Sequence, residues 1–147
     1  MASRIVTRGA STVRRRTRDP RVVKRYWAIW QGLPCEWGLL IGEQCRGEEL
    51  NHILSGSAKE DAAWNFAIMC AFHHRDTVHG FHGSEGRDMR ARLLQDKLDR
   101  GFILPREAYR YLDCGIDAAP DVEMDEEANF VLVQDRADSL GGDLWEM

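Results

Sequence analysis

Apolar positions in this chain fall into short periodic stretches separated by polar and glycine-rich segments. Over residues 20–30, Val22, Val23, Tyr26, Trp27 and Trp30 recur at spacings of three and four, which predicts a short amphipathic helix opened by Asp19-Pro20 and stopped by Gly32 and Pro34. Residues 35–45 hold a brief apolar run punctuated by Gly38 and Gly42, the pattern of a tight hairpin or knuckle. Residues 49–54 and 64–70 read as strands, with a polar loop over 55–61 between them. A helix is expected to open over 73–79. The most regular helical stripe lies over 87–100, where Met89, Leu93, Leu94 and Leu98 share a face and Gly101 supplies the stop. Residues 105–112 are a further helical candidate. Past Asp113 large apolar residues are few, apart from Phe130 to Val133, a candidate strand or docking segment. The chain shows no internal repeat, and no apolar run approaches the roughly 18–20 residues that span a bilayer, so no membrane role is expected.

At 147 residues the chain suits one domain with tails. The expected division is a basic flexible arm over 1–19, a domain over 20–112 and an acidic tail over 113–147. Apolar residues make up 44% and charged residues 30%, a globular balance. The overall net charge of −4 hides a polarity that decides which surfaces can meet an anion. Residues 1–27 carry nine Arg and Lys against Asp19 alone, net +8, while residues 113–147 carry eleven Asp and Glu against Arg136, net −10. The first 25 residues lack the apolar stretch of a secretory signal, which points to a cytoplasmic protein. In such a compartment the four cysteines stay reduced and serve as metal ligands or buried thiols. Cys35, Cys45 and Cys70 lie in the stretch that also holds all five histidines, whereas Cys114 stands apart.

The informative segment runs from Cys35 to His79. It holds Cys35 and Cys45, then Leu50-Asn51-His52-Ile53, then Trp64-Asn65, then Cys70-Ala71-Phe72-His73-His74, and finally His79. This combination resembles the HNH (ββα-metal) endonuclease family, whose hallmark is a His ending one strand, an Asn opening the next segment and a His entering a helix. The resemblance implies an α+β fold with a small zinc-braced ββα-metal core, extra helices and flexible ends. It also implies metal-dependent hydrolysis of DNA phosphodiester bonds. That reaction needs a base for water, a cation for the developing charge and a group that holds the base in place. By their places in the motif, His52 would be the general base, Asn65 would fix the loop that orients it, and His74 would bind the catalytic divalent cation (Mg, Mn, Ni or Zn). His79 is the expected second ligand from the helix, with His82 or water as a substitute, because a spacing of five residues exceeds the usual i, i+4 pair. Asn51 stands where the family commonly carries an Asp or His that binds the metal, and a neutral oxygen donor there would weaken binding.

The same resemblance assigns a structural zinc to Cys35, Cys45, Cys70 and His73. Cys70-x-x-His73 is the tight pair a tetrahedral ion needs, and Cys45 takes the part of a second cysteine at the position occupied by Gly38. Arg14, Arg15, Arg16 and Arg18 are expected to clamp DNA phosphates, which gives affinity without sequence information. The acidic tail is a candidate docking segment for a protein partner, such as a phage packaging protein. Small free-standing proteins of this kind are frequent in bacteriophages, which would place the chain in the cytoplasm of a bacterial host. The alternative reading is a catalytically weak, zinc-braced DNA- or protein-binding module in a nucleoprotein assembly.

Overall fold

Asp19 starts the first helix, α1 (Pro20–Trp30), where sequence pattern and structure coincide. Its carboxylate accepts the Arg21 N–H at 2.9 Å, and Pro20 occupies the first turn, where a missing amide leaves no bond unmade. The computed structural model describes residues 18–141, so Arg14, Arg15 and Arg16 and the end of the chain lie outside the described residues. Trp30 closes the helix by donating its indole N–H to the Pro34 carbonyl at 2.7 Å. In place of the hairpin expected over 35–45, a short helix α2 (Glu36–Ile41) forms and ends at Gly42, whose φ of 78° lies in the left-handed region. The knuckle survives at its base, where Cys35 N–H meets Cys45 O at 2.8 Å and Pro34 bridges to Arg46.

Two four-residue strands follow, β1 (Glu49–His52) and β2 (Phe66–Met69), paired antiparallel with Glu49 opposite Met69 and His52 opposite Phe66. The loop between them carries single 3-10 turns at Gly56–Ala58 and Ala63–Asn65. All four residues of β2 are buried, as a continuous apolar run demands when both faces of a strand are covered. The helix expected over 73–79 is shorter: α3 (Ala71–Arg75) ends before Asp76, whose Oδ2 accepts the N–H groups of Val78 and His79 and so turns the chain. The next helix, α4 (Gly86–Asp99), buries Met89, Leu93 and Leu94, as its apolar stripe predicts. Short 3-10 turns at Arg106–Tyr111 and Ile116–Ala118 then lead to α5 (Glu126–Leu140). No described helix is long and apolar enough to cross a membrane. The result is a mixed α+β fold with a two-stranded sheet.

α5 corrects the expectation of an acidic tail after Asp113. Asp125 caps it by accepting the Ala128 N–H at 3.0 Å, and Phe130, Val133 and Ala137 are buried on one face. Buried Asn129 grips the main chain of Ile103, accepting its N–H at 2.8 Å and donating to its carbonyl at 3.0 Å. Glu127 pairs with Arg25 of α1 at 2.6 and 2.9 Å. Glu127, Asp135 and Asp138 lie on the outside of a helix whose inner stripe completes the core, while Glu126 turns inward to accept the Ala63 N–H at 2.9 Å.

A buried polar junction holds α1, α2, β2 and α4 together. Glu36 accepts the Tyr26 hydroxyl at 2.6 Å and the Ile68 N–H at 2.8 Å, and Lys97 Nζ reaches Tyr26 Oη at 2.9 Å and Glu36 Oε1 at 3.5 Å. Burial pushes the Lys97 ammonium below its ordinary pKa and the Tyr26 hydroxyl well above its own. Removing one partner of a buried pair leaves the other charge uncompensated. Glu36→Ala is therefore expected to cost about 3–5 kcal/mol, since it strands both Lys97 and the Ile68 amide. Lys97→Met should cost less, because Glu36 keeps two donors. Chemical denaturation of the two variants checks this, and a larger loss in Lys97→Met would make the ammonium the hub instead.

Candidate functional site

The four side chains expected to share a metal come together where three elements meet. Cys35 precedes α2, Cys45 lies on the far side of the knuckle, Cys70 ends β2 and His73 sits in α3. Their ligand atoms all lie within 4.8 Å of one another. His73 Nδ1 is 3.6, 3.5 and 3.2 Å from the sulfurs of Cys35, Cys45 and Cys70. A tetrahedral zinc with Zn–S near 2.3 Å and Zn–N near 2.0–2.1 Å sets nitrogen and sulfur about 3.5 Å apart. The spacing therefore fits an ion such as zinc.

The surroundings agree with that use. Gly38 N–H donates to Cys35 Sγ and His73 N–H to Cys70 Sγ, both at 3.4 Å, arrangements that stabilise thiolates. His73 turns its Nε2 to Glu43 Oε1 at 3.0 Å, which fixes the ring so that Nδ1 faces the sulfurs. Burial raises the Cys35 and Cys45 thiols above their ordinary pKa, and for Cys45 the neighbouring sulfurs add to the rise. A cation at the centre is what would let these thiols ionise together. Gly38 makes room for this arrangement, since a Cβ there would lie 2.6 Å from Cys45 Sγ and 2.7 Å from the Glu43 carbonyl oxygen. Cys45 fills the space that a side chain at position 38 would need. Cys114 is exposed and apart from this cluster.

His52 ends β1 half-buried, packed edge-on against Phe66. Its Nε2 lies 2.8 Å from Asp61 Oδ1, in the loop between the strands. Burial holds the His52 pKa below its ordinary value, against the opposing pull of Asp61. Asn65 is fully buried and closes that loop: Oδ1 accepts the Leu54 N–H at 2.7 Å, while Nδ2 donates to Leu54 O at 3.1 Å and Glu60 O at 2.9 Å. Arg18, expected to clamp phosphate, lies 3.6 Å from Asp61 Oδ2.

His74 faces a different set of partners. Its Nδ1 lies 2.7 Å from Glu49 Oε1, which also accepts Arg75 Nε at 2.9 Å, and its Nε2 lies 3.0 Å from His82 Nε2. His79 is not beside His74 but turns to Glu85 Oε1 at 3.1 Å, with its ring against Phe72. The cause is the early end of α3. Phe81 N–H returns to His73 O and His82 N–H to His74 O, folding the turn back over the helix. Gly80 and Gly83 permit that fold, since a Cβ on either would meet the Asp76 carbonyl oxygen at 2.5 and 2.4 Å respectively. Asn51 is 2% exposed and points its amide at Met69 Sδ, 3.6 Å away.

Glu43, Glu49 and Asp61 were not singled out from the sequence. Strand alternation was the available signal for Glu49, which shares a face with Asn51 two residues on. Asp61 sits in a polar loop where no periodicity distinguishes one acid from another.

One tightly held metal ion at the Cys35, Cys45, Cys70 and His73 cluster is the expected stoichiometry, and Cys70→Ser should lower the melting temperature as well as the content of tightly held metal. Structural zinc in small modules contributes on the order of 10 kcal/mol to folding. Elemental analysis and melts with and without chelator check both, and chelation that leaves the melt unchanged would exclude a structural ion here. No family model, curated protein or solved structure matches this chain, so its chemistry is argued from its own residues.

Proposed function

We propose that this protein is a metal-dependent endonuclease of the HNH type that hydrolyses DNA phosphodiester bonds. The observation that carries the reading is the Asn65 clamp. A fully buried amide with three main-chain bonds fastens the loop beside His52, the role the HNH pattern requires of its Asn. His52, kept toward its neutral form by burial, is suited to take a proton from water. Adjacent cations on its side are Lys59 and Arg18, and on the His74 side Arg75 and Arg90. They suit an anionic backbone.

For the catalytic ion the residues at hand are Glu49, His74 and His82 rather than the expected Asn51 and His79. Two imidazole nitrogens sharing a cation at 2.0–2.1 Å stand about 3 Å apart, and the His74 and His82 Nε2 atoms are 3.0 Å apart. Glu49 on Nδ1 is the carboxylate that commonly orients a metal-bound histidine. A divalent cation held there would supply positive charge to the phosphate and the departing 3′ oxygen. Alternation along β1 sets Glu49 and His52 on opposite faces, so a single phosphate would meet both the base and this cation only around the end of the strand at His52.

One observation favours a second reading, a zinc-braced binding module in a nucleoprotein assembly: Asn51 is buried against Met69, leaving the strand one oxygen donor short at the family's usual metal position. Plasmid cleavage under controlled Mg²⁺, Mn²⁺ or Ni²⁺ separates the two. His52→Ala is expected to lower kcat by about 10²–10⁴ without loss of fold. Glu49→Gln is expected to raise the metal concentration needed about 10–100-fold. His82→Ala should do at least as much and His79→Ala little. Wild-type rates in His52→Ala would remove the base, and a wild-type protein that binds DNA without cutting it would favour the binding module.

A further inference from the structure

We propose that Asp61 is the positioning residue of His52, and that it fastens the imidazole both to the Asn65-clamped loop and to the start of α1, where the basic N-terminal segment joins. This rests on the reading of His52 as the general base.

Both carboxylate oxygens of Asp61 are committed. Oδ1 meets His52 Nε2 at 2.8 Å, while Oδ2 accepts the Asp19 backbone N–H at 2.7 Å and lies 3.6 Å from Arg18 Nε. The Asp61 side chain is 7% exposed, so these contacts are sheltered from competing water. The backbone that carries it is equally fixed. Asn65 Nδ2 holds the carbonyl of Glu60, the residue before, and Asn65 O accepts the amide of Ile53, the residue after His52. One buried residue, Asn65, thus constrains both the imidazole, through its main-chain carbonyl, and the carboxylate that holds it, through its side-chain amide.

The pairing also assigns the protons. An ionised carboxylate only accepts, so the His52 nitrogen facing it must carry the hydrogen. Neutral His52 is then protonated on Nε2, and Nδ1 bears the free lone pair. In the reaction Nδ1 takes a proton from water, the water oxygen attacks phosphorus as the bond to the 3′ oxygen breaks, and the resulting imidazolium keeps its Nε2 proton on ionised Asp61.

The positioning carries a further meaning for substrate. Asp61 is bonded to the main chain of Asp19 and lies 3.6 Å from Arg18 Nε, so the Arg18 guanidinium stands beside the carboxylate that holds the general base. A backbone phosphate held near Arg18 would lie close to His52.

The test uses full-length protein and two readouts. Histidine ¹⁵N spectra of the wild type should show His52 as the Nε2–H tautomer with a strongly hydrogen-bonded proton, and Asp61→Ala should abolish that signature. An Nδ1–H tautomer in the wild type overturns the assignment whether or not the protein cleaves DNA. In cleavage assays Asp61→Asn should lower kcat about 10- to 100-fold with KM for DNA within twofold, and should add nothing on a His52→Ala background. A merely structural role would instead lower the fraction folded and cost activity equally in both backgrounds. If His52→Ala is inactive while Asp61→Asn and Asp61→Ala cleave like wild type, the base stands and this inference fails. If His52→Ala cleaves normally, it is the base itself that falls.

Discussion

The meeting of Cys35, Cys45, Cys70 and His73 is the constraint on which the rest of this structure leans. A hairpin of two four-residue strands is marginal by itself, and α3 is barely more than one turn long. Neither would persist in isolation. The cluster joins the end of β2 to the start of α3 and ties both to the knuckle around α2, so the pieces that carry His52 and His74 are held from one corner. The Glu36, Tyr26 and Lys97 junction then binds that corner to α1 and α4.

From this corner the two histidine groups diverge. His52 is governed by the loop between the strands, through Asn65 and Asp61, whereas His74 is governed by the turn after α3, through Glu49 and His82. Each imidazole has a carboxylate on one nitrogen, which sets the orientation of the ring. The other nitrogen of His74 faces a second imidazole, that of His82, at 3.0 Å.

Much of this was legible in the residues. The stripes of α1 and α4, the paired strands and the clustering of four Cys and His side chains that could hold a metal ion follow from apolar spacing and ligand type, and the structure contains them. The failures share a cause: tertiary contacts that no local pattern encodes. The acid-rich composition after Asp113 masked a stripe at Phe130, Val133 and Ala137 that is helical in spacing. The Asp76 turn, which ends α3 and brings His82 to His74 in place of His79, depends on Gly80 and Gly83 folding against a carbonyl that is near only in three dimensions. Asp61 could not be told from its neighbours without knowing where Asn65 pulls the loop.

The space at position 38 ties two sites in the sequence to one another. With Cys45 Sγ 2.6 Å and the Glu43 carbonyl oxygen 2.7 Å from where a Cβ on Gly38 would stand, position 38 admits no side chain while Cys45 and the Glu43 backbone keep their places. A cysteine at position 38 would need both the Cys45 sulfur and the Glu43 carbonyl to move away. A side chain at position 38 alone would have no room, and a change at Cys45 alone would leave the cluster one candidate ligand short. A paired Cys-x-x-Cys spacing at 35 and 38 is therefore out of reach of this chain by one substitution.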